Sequence, residues 1–110
     1  MMNEREMDVL SILWETEKAL MATDIVNVRQ DLTQSTVTAV LRKLLRKGLV
    51  EVAGVTQSGK VLSRTYRPTE ASKKAVLDSL VEEYRNIKSV VTLEEINAAI
   101  KTAEEADKAQ

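Results

Sequence analysis

Cysteine and histidine are both absent from this 110-residue sequence. Without cysteine there are no disulfides, no thiolate metal sites and no cysteine nucleophile. Without histidine the commonest general base and the commonest metal ligand are missing, which leaves only carboxylates for metal or acid–base work. The carboxylates are poorly arranged for it. Glu94 and Glu95, like Glu104 and Glu105, are chain neighbours, and neighbouring helical positions point about 100° apart rather than toward one site. Asp78 and Glu82 share a helical face, but that reads as a solvated acidic surface. No enzyme, metal or cofactor is expected. Nor is there an apolar run near the ~20 residues a membrane span needs, and the opening MMNEREMD lacks a signal-peptide pattern. A cytoplasmic location without membrane attachment is the expectation.

What is present is a charged, moderately apolar chain. Hydrophobic residues make up 44% and charged residues 30%, values of a soluble globular protein rather than a disordered one. The formal net charge is only −1, but its distribution is uneven. Met1 to Leu32 carries three cations and seven anions, and Thr69 to Gln110 carries six and nine. Between them, Thr33 to Pro68 has seven cations against the single anion Glu51. An acidic protein can therefore present one basic face, and for a polyanionic partner that local field matters more than the total.

Hydrophobic spacing supplies the elements. Asn3 is placed to cap a first helix, with Glu4 and Glu6 near its positive end. Met7, Leu10, Leu13 and Trp14 recur at helical spacing, Val9 and Ile12 widen the face, and the helix should end near Thr16. Lys18-Ala19-Leu20 suits a lone edge strand. A short second helix is expected over about 22–29, burying Ile25 and Val26. A third runs from the cap Thr33 to about Lys47 and stops at Gly48. Then the period changes: LVEVAGV (Leu49 to Val55) and SRTYRP (Ser63 to Pro68) read as strands joined through the turn residues QSGK (Gln57 to Lys60). Pro68, the only proline, ends the second strand. A long helix from Thr69 to about Lys88 carries Val76, Leu77, Leu80, Val81, Tyr84 and Ile87 as an apolar stripe. Thr92 and Glu95 form a capping box for a last helix with Leu93, Ile96, Ile100 and Ala103 on one side, and EEADKAQ should fray.

The third helix holds most of the positive charge. At about 100° per residue, Val37, Val40, Leu41 and Leu44 share a core side. Ser35, Ala39, Arg42 and Arg46 lie opposite, flanked by Thr38 and Lys43, with Gln34 and Thr36 on the boundaries. A helix with slender side chains at its leading end fits a DNA major groove about 12 Å wide. Gln34, Ser35, Thr36, Thr38, Ala39 and Arg42 are the candidates to meet base edges. Lys43, Arg46 and Lys47, with Lys60 at the hairpin tip and Arg64 on its second strand, are the candidates to grip phosphates. Structural roles compete: Thr33 as a cap only, Thr36 as a packing residue, and Lys47 as a charge complementing the helix C-terminus.

The order helix, short strand, helix, helix, hairpin is that of a winged helix-turn-helix, here mainly α with a small β-hairpin. EREMDVLSILWE, ATDIVNVRQ, STVTAVLRKLLRKGLV and RTYRP together resemble the penicillinase-repressor (BlaI/MecI/CopY) family, over roughly Glu4 to Asn86. That resemblance implies a bacterial winged-helix repressor that binds a palindromic operator as a homodimer. It places Ser35, Thr36 and Thr38 near bases, Arg42, Lys43, Arg46, Lys47 and the wing near phosphates, and dimerisation in the C-terminal helices. Copper-responsive members carry a C-terminal cysteine cluster, and β-lactam-responsive members are cleaved at an Asn-Phe bond. This chain has neither cysteine nor phenylalanine. Its C-terminal region is also shorter than the family's three helices.

The expectation is thus a DNA-binding domain over 1–68 and a helical dimerisation segment over 69–110. The apolar contacts between subunits would come from Val76, Leu77, Leu80, Val81, Tyr84, Ile87, Leu93, Ile96 and Ile100. The partner would be double-stranded DNA, and the inducer is not indicated. The rival reading is a winged helix used as a protein-interaction module that docks on an acidic partner.

Overall fold

A computed structural model describes residues 2–109. The elements run α1 (Glu4–Glu15), α2 (Ala22–Val28), α3 (Gln34–Arg46), β1 (Val50–Ser58), β2 (Val61–Pro68), α4 (Glu70–Ile87) and α5 (Leu93–Lys108). Asn3 caps α1 reciprocally: its side chain accepts from the Glu6 N–H at 2.8 Å, and the Asn3 N–H donates to Glu6 Oε1 at 3.1 Å. Val9, Leu10, Ile12 and Leu13 of α1 are buried, while Trp14 is 37% exposed. Ile25, Leu32, Val37, Leu41, Leu44, Leu49 and Val50 complete the core with Leu20. Helices α1, α2 and α3 thus close over one apolar centre, each through the stripe that its spacing marks.

The end of α3 is fixed by backbone chemistry. Gly48 takes φ 75°, its N–H bonds the Leu45 carbonyl, and the Leu49 N–H bonds the Leu44 carbonyl at 2.9 Å. This is a Schellman ending, and it directs the chain into β1 with Leu44 and Leu49 both buried. Strands β1 and β2 form an antiparallel hairpin longer than expected, with Ser58 paired to Val61 across the two-residue loop Gly59-Lys60. Gly59 has φ 63°, which the first position of a tight hairpin loop requires. An irregularity between Val52 and Gly54 leaves Ala53 unpaired and bends the wing. The expected edge strand is a single antiparallel bridge, Leu20 to Tyr66.

Two compact units result, one up to Asp78 and one from Ser79, so the packing boundary lies beyond the expected Pro68. In the first unit the start of α4 is tied down. Thr69 Oγ1 donates to the Gly48 carbonyl at 2.7 Å, Ser72 Oγ donates to the Thr69 carbonyl at 2.6 Å, and Trp14 Nε1 donates to Ser72 Oγ at 2.9 Å. Lys73 lies over the Trp14 ring. Ala75 and Val76 pack on the core, which places Val76 inside this unit. The second unit holds the end of α4 and all of α5. Thr92 and Glu95 form the expected capping box, at 3.0 and 3.1 Å. Helix α5 continues to Lys108 instead of fraying from Glu104, because Ala, Glu and Lys dominate its last turns.

Candidate nucleic-acid interface

The capped start of α3 sets the outward row. Thr33 Oγ1 accepts from the Thr36 N–H at 3.2 Å and donates to Thr36 Oγ1 at 2.9 Å. Thr33 is therefore a cap, and the half-buried Thr36 hydroxyl is engaged in it. With Val37, Leu41 and Leu44 facing the core, Gln34, Ser35, Ala39, Arg42, Lys43 and Arg46 are exposed and Thr38 is half-buried at the edge. The row runs from small polar groups at the N-terminus to cations in the last turn, where Lys43 and Arg46 also complement the helix dipole.

Ion pairing separates the cations of this domain into two sets. Arg29 is bidentate to Asp31 at 2.8 Å, and reaches Asp8 at 3.4 Å. Arg5 bridges Asp8 at 3.3 Å and Asp31 at 3.6 Å. The Arg29 hydrogen bonds draw the Asp31 carboxyl down to about 2, against some opposition from desolvation. Among the described residues, Arg42, Lys43, Arg46, Lys60 and Arg64 have no ion pair or side-chain hydrogen bond of this kind. The acidic first segment consumes its own arginines, and apart from Lys18 the positive charge left unpaired among the described residues of this domain belongs to α3 and the wing. On the wing, Lys60 stands at the exposed tip, with Gln57 Nε2 bonding the Gly59 carbonyl beside it at 2.9 Å.

One part of the surface was not legible in the sequence. Gln34, Arg64, Thr23 and Ser63 line a notch of about 170 Å³ together with Met21, Ala22 and Tyr66. It joins the starts of α2 and α3 to the wing, and the Leu20 to Tyr66 bridge brings these segments together. Thr23 and Ser63 are polar residues in ordinary surroundings along the chain, so no local signal marks them.

A family model described as penicillinase repressor matches residues 2–107. The chain belongs to the penicillinase repressor family. It is a winged-helix, DNA-binding transcriptional regulator. Solved structures share the fold at low identity. A PadR family transcription regulator from hypervirulent Clostridium difficile matches with TM-score 0.58 and 22% identity, over 80% of this chain and 94% of that one. A MepR variant from a multidrug resistant S. aureus clinical isolate matches at 0.57 and 24%, over 99% and 78%. A second S. aureus MepR variant, bound to oligodeoxyribonucleotide, matches at 0.55 and 23%, over 100% and 80%. No match is found among curated protein sequences.

In this penicillinase repressor family member, Lys47 stands apart from the other basic residues of α3. Its Nζ donates to Glu6 Oε2 at 2.8 Å, and the Glu6 side chain is only 1% exposed. Burial alone would raise the Glu6 carboxyl. The Lys47 hydrogen bond, the Asn3 N–H and the charges of Lys47 and Lys43 outweigh it and lower the value. The cap spacing of Asn3 and Glu6 is visible in the sequence, but a pairing across 41 positions is not.

The second unit carries the apolar surface. Leu80, Val81, Tyr84 and Ile87 of α4 and Leu93, Ile96 and Ile100 of α5 line one groove of about 320 Å³. Leu80 is 62% exposed, and among the described residues from Ser79 onward none is buried. Leu77, also exposed, belongs to the first unit. No helix among the described residues is long and apolar enough to cross a membrane.

Proposed function

We propose that the protein is a homodimeric repressor that occupies a pseudo-palindromic operator, with α3 of each subunit in a major groove. The observation that carries this reading is the unpaired row of α3, in a domain whose other arginines are largely neutralised by carboxylates. Ser35, Thr38 and Ala39 are slender enough to approach base edges, Gln34 suits adenine, and Arg42 suits guanine or a phosphate. Thr36 serves the cap. Lys43, Arg46, Lys60 and Arg64 grip the backbone, which gives affinity and orientation, while base contacts give sequence choice. The notch formed by Thr23, Gln34, Ser63 and Arg64 has the donors for a phosphate between the recognition helix and the wing. The DNA-bound MepR variant of the same fold supports the assignment.

Dimerisation rests on the groove of the second unit. The end of α4 and all of α5, with no buried residue among the described residues from Ser79 onward, leave their apolar stripe in water, and a second copy of the same stripe is self-complementary about a two-fold axis. Two recognition helices in successive major grooves then stand about 34–36 Å apart. Selection of bound fragments from random duplex DNA tests the whole reading. Enriched inverted repeats with half-sites one helical turn, or a small multiple, apart are expected. Failure to retain any duplex at low salt, with capture of an acidic protein instead, would favour a protein-docking winged helix.

A further inference from the structure

The pairing of Glu6 with Lys47 bears on how strongly this protein holds DNA of any sequence. Glu6 is almost fully buried, and its two oxygens are spoken for. Oε1 takes the Asn3 N–H at 3.1 Å, and Oε2 takes Lys47 Nζ at 2.8 Å. Lys47 follows Arg46, so its side chain leaves the helix about 100° round from the centre of the basic row, toward the start of α1. Its own side chain remains 43% exposed, so the ammonium is neither entombed nor out of reach of solvent. To contact a phosphate it would have to abandon a buried carboxylate, and an unpaired buried charge is far more costly than one phosphate contact is favourable.

We propose that Glu6 acts as an internal substitute for a DNA phosphate: it holds Lys47 and so removes one cation from the phosphate clamp. The consequence is a weaker hold on DNA of every sequence. Sequence-independent binding rises with the number of phosphates neutralised, whereas base contacts are unaffected by that number. A protein that withholds one cation binds every duplex less tightly and leaves the choice among sequences to its reading residues. The same bond seats the last turn of α3 against α1, so Glu6 is a positioning residue for the clamp rather than a member of it. This rests on the reading of α3 as the DNA-facing helix.

The test compares three proteins, wild type, Glu6→Gln and Glu6→Gln/Lys47→Met, by the salt dependence of binding to random duplex DNA. The glutamine keeps an oxygen for the Asn3 N–H, and the double variant leaves no unpaired charge, so both are suited to fold; melting curves verify this. Glu6→Gln is expected to bind random DNA more tightly, with a salt slope steeper by about 0.9, the increment for one added phosphate contact. The double variant is expected to return to the wild-type slope, which separates a freed lysine from the mere loss of a nearby negative charge. If Glu6→Gln and wild type share one slope, Lys47 is not being withheld and the proposal fails. It fails equally if the double variant is flatter than wild type by about 0.9, because Lys47 then already grips a phosphate. Should wild type bind no duplex at all, the reading of α3 falls, and this inference falls with it. Should the double variant alone fail to fold, the comparison of Glu6→Gln with wild type still decides.

Discussion

Arg46 occupies the middle of the solvent side of α3, exposed and without an ion-pair partner among the described residues, while Lys47 beside it is held by Glu6. Two neighbouring cations therefore meet different surroundings because a helix turns them about 100° apart. Arg46→Ala is expected to weaken binding to all duplexes alike and to lower the salt slope by about 0.9, as the loss of one phosphate contact requires. An unaltered slope in a titration from low to moderate salt would remove Arg46 from the clamp. Thr38→Ala should instead shift the preference among selected sites, with little change on random DNA. Competition between operator variants measures this, and an equal loss on every variant would contradict a base-reading role. Trp14 illustrates a residue whose spacing told only part of its role. It lies on the apolar side of α1 yet stays partly exposed, and its indole N–H donates to the buried Ser72 Oγ at 2.9 Å. Trp14→Phe should cost about 1 kcal/mol in urea unfolding, the usual net worth of one such bond.

Among the elements, the helices were the most legible and the connections the least. Periodicity located α1, α3 and α4 because each buries a stripe that repeats every three or four residues. The hairpin came out longer than its β-branched runs indicated. Cross-strand pairing carries it out to Ser58 and Val61, through Gln57 and Ser58, which have no strong strand preference. The persistence of α5 past Glu104 reflects the high helix propensity of its alanine-, glutamate- and lysine-rich last turns. Gly48 shows where an element boundary depends on one residue. A Cβ there meets nothing within 4 Å, so Gly48→Ala introduces no clash, and its cost is the left-handed backbone at φ 75°. Destabilisation of about 1–2 kcal/mol is expected in chemical denaturation. Equal stability of the two proteins would show that α3 ends by some other means.

At the scale of the molecule, the apolar groove of the second unit is where assembly is expected to reside. Leu80→Asp places a charge among Val81, Tyr84, Ile87 and Leu93. Sedimentation should show a monomer, with operator affinity reduced at least tenfold and the first unit still folded; a persisting dimer would relocate the interface. Acid sensitivity follows from the paired carboxylates. Glu6 is lowered from 4.5 in the folded state, so its stabilising share is present above that value and is lost as pH falls through the folded one. Unfolding midpoints should therefore decline below about pH 4.5, and Glu6→Gln should decline less. Parallel curves for the two proteins would mean that other carboxylates govern the acid limb. The helical stripes, the capping sites, the basic third helix and the family are legible in the residues alone, because these depend on spacing along the chain. Which cations remain unpaired, the pairing of Lys47 with Glu6, and the meeting of Thr23 and Ser63 with Gln34 and Arg64 emerge from the folded chain. Those facts depend on distances between residues far apart in the chain, which no local pattern encodes.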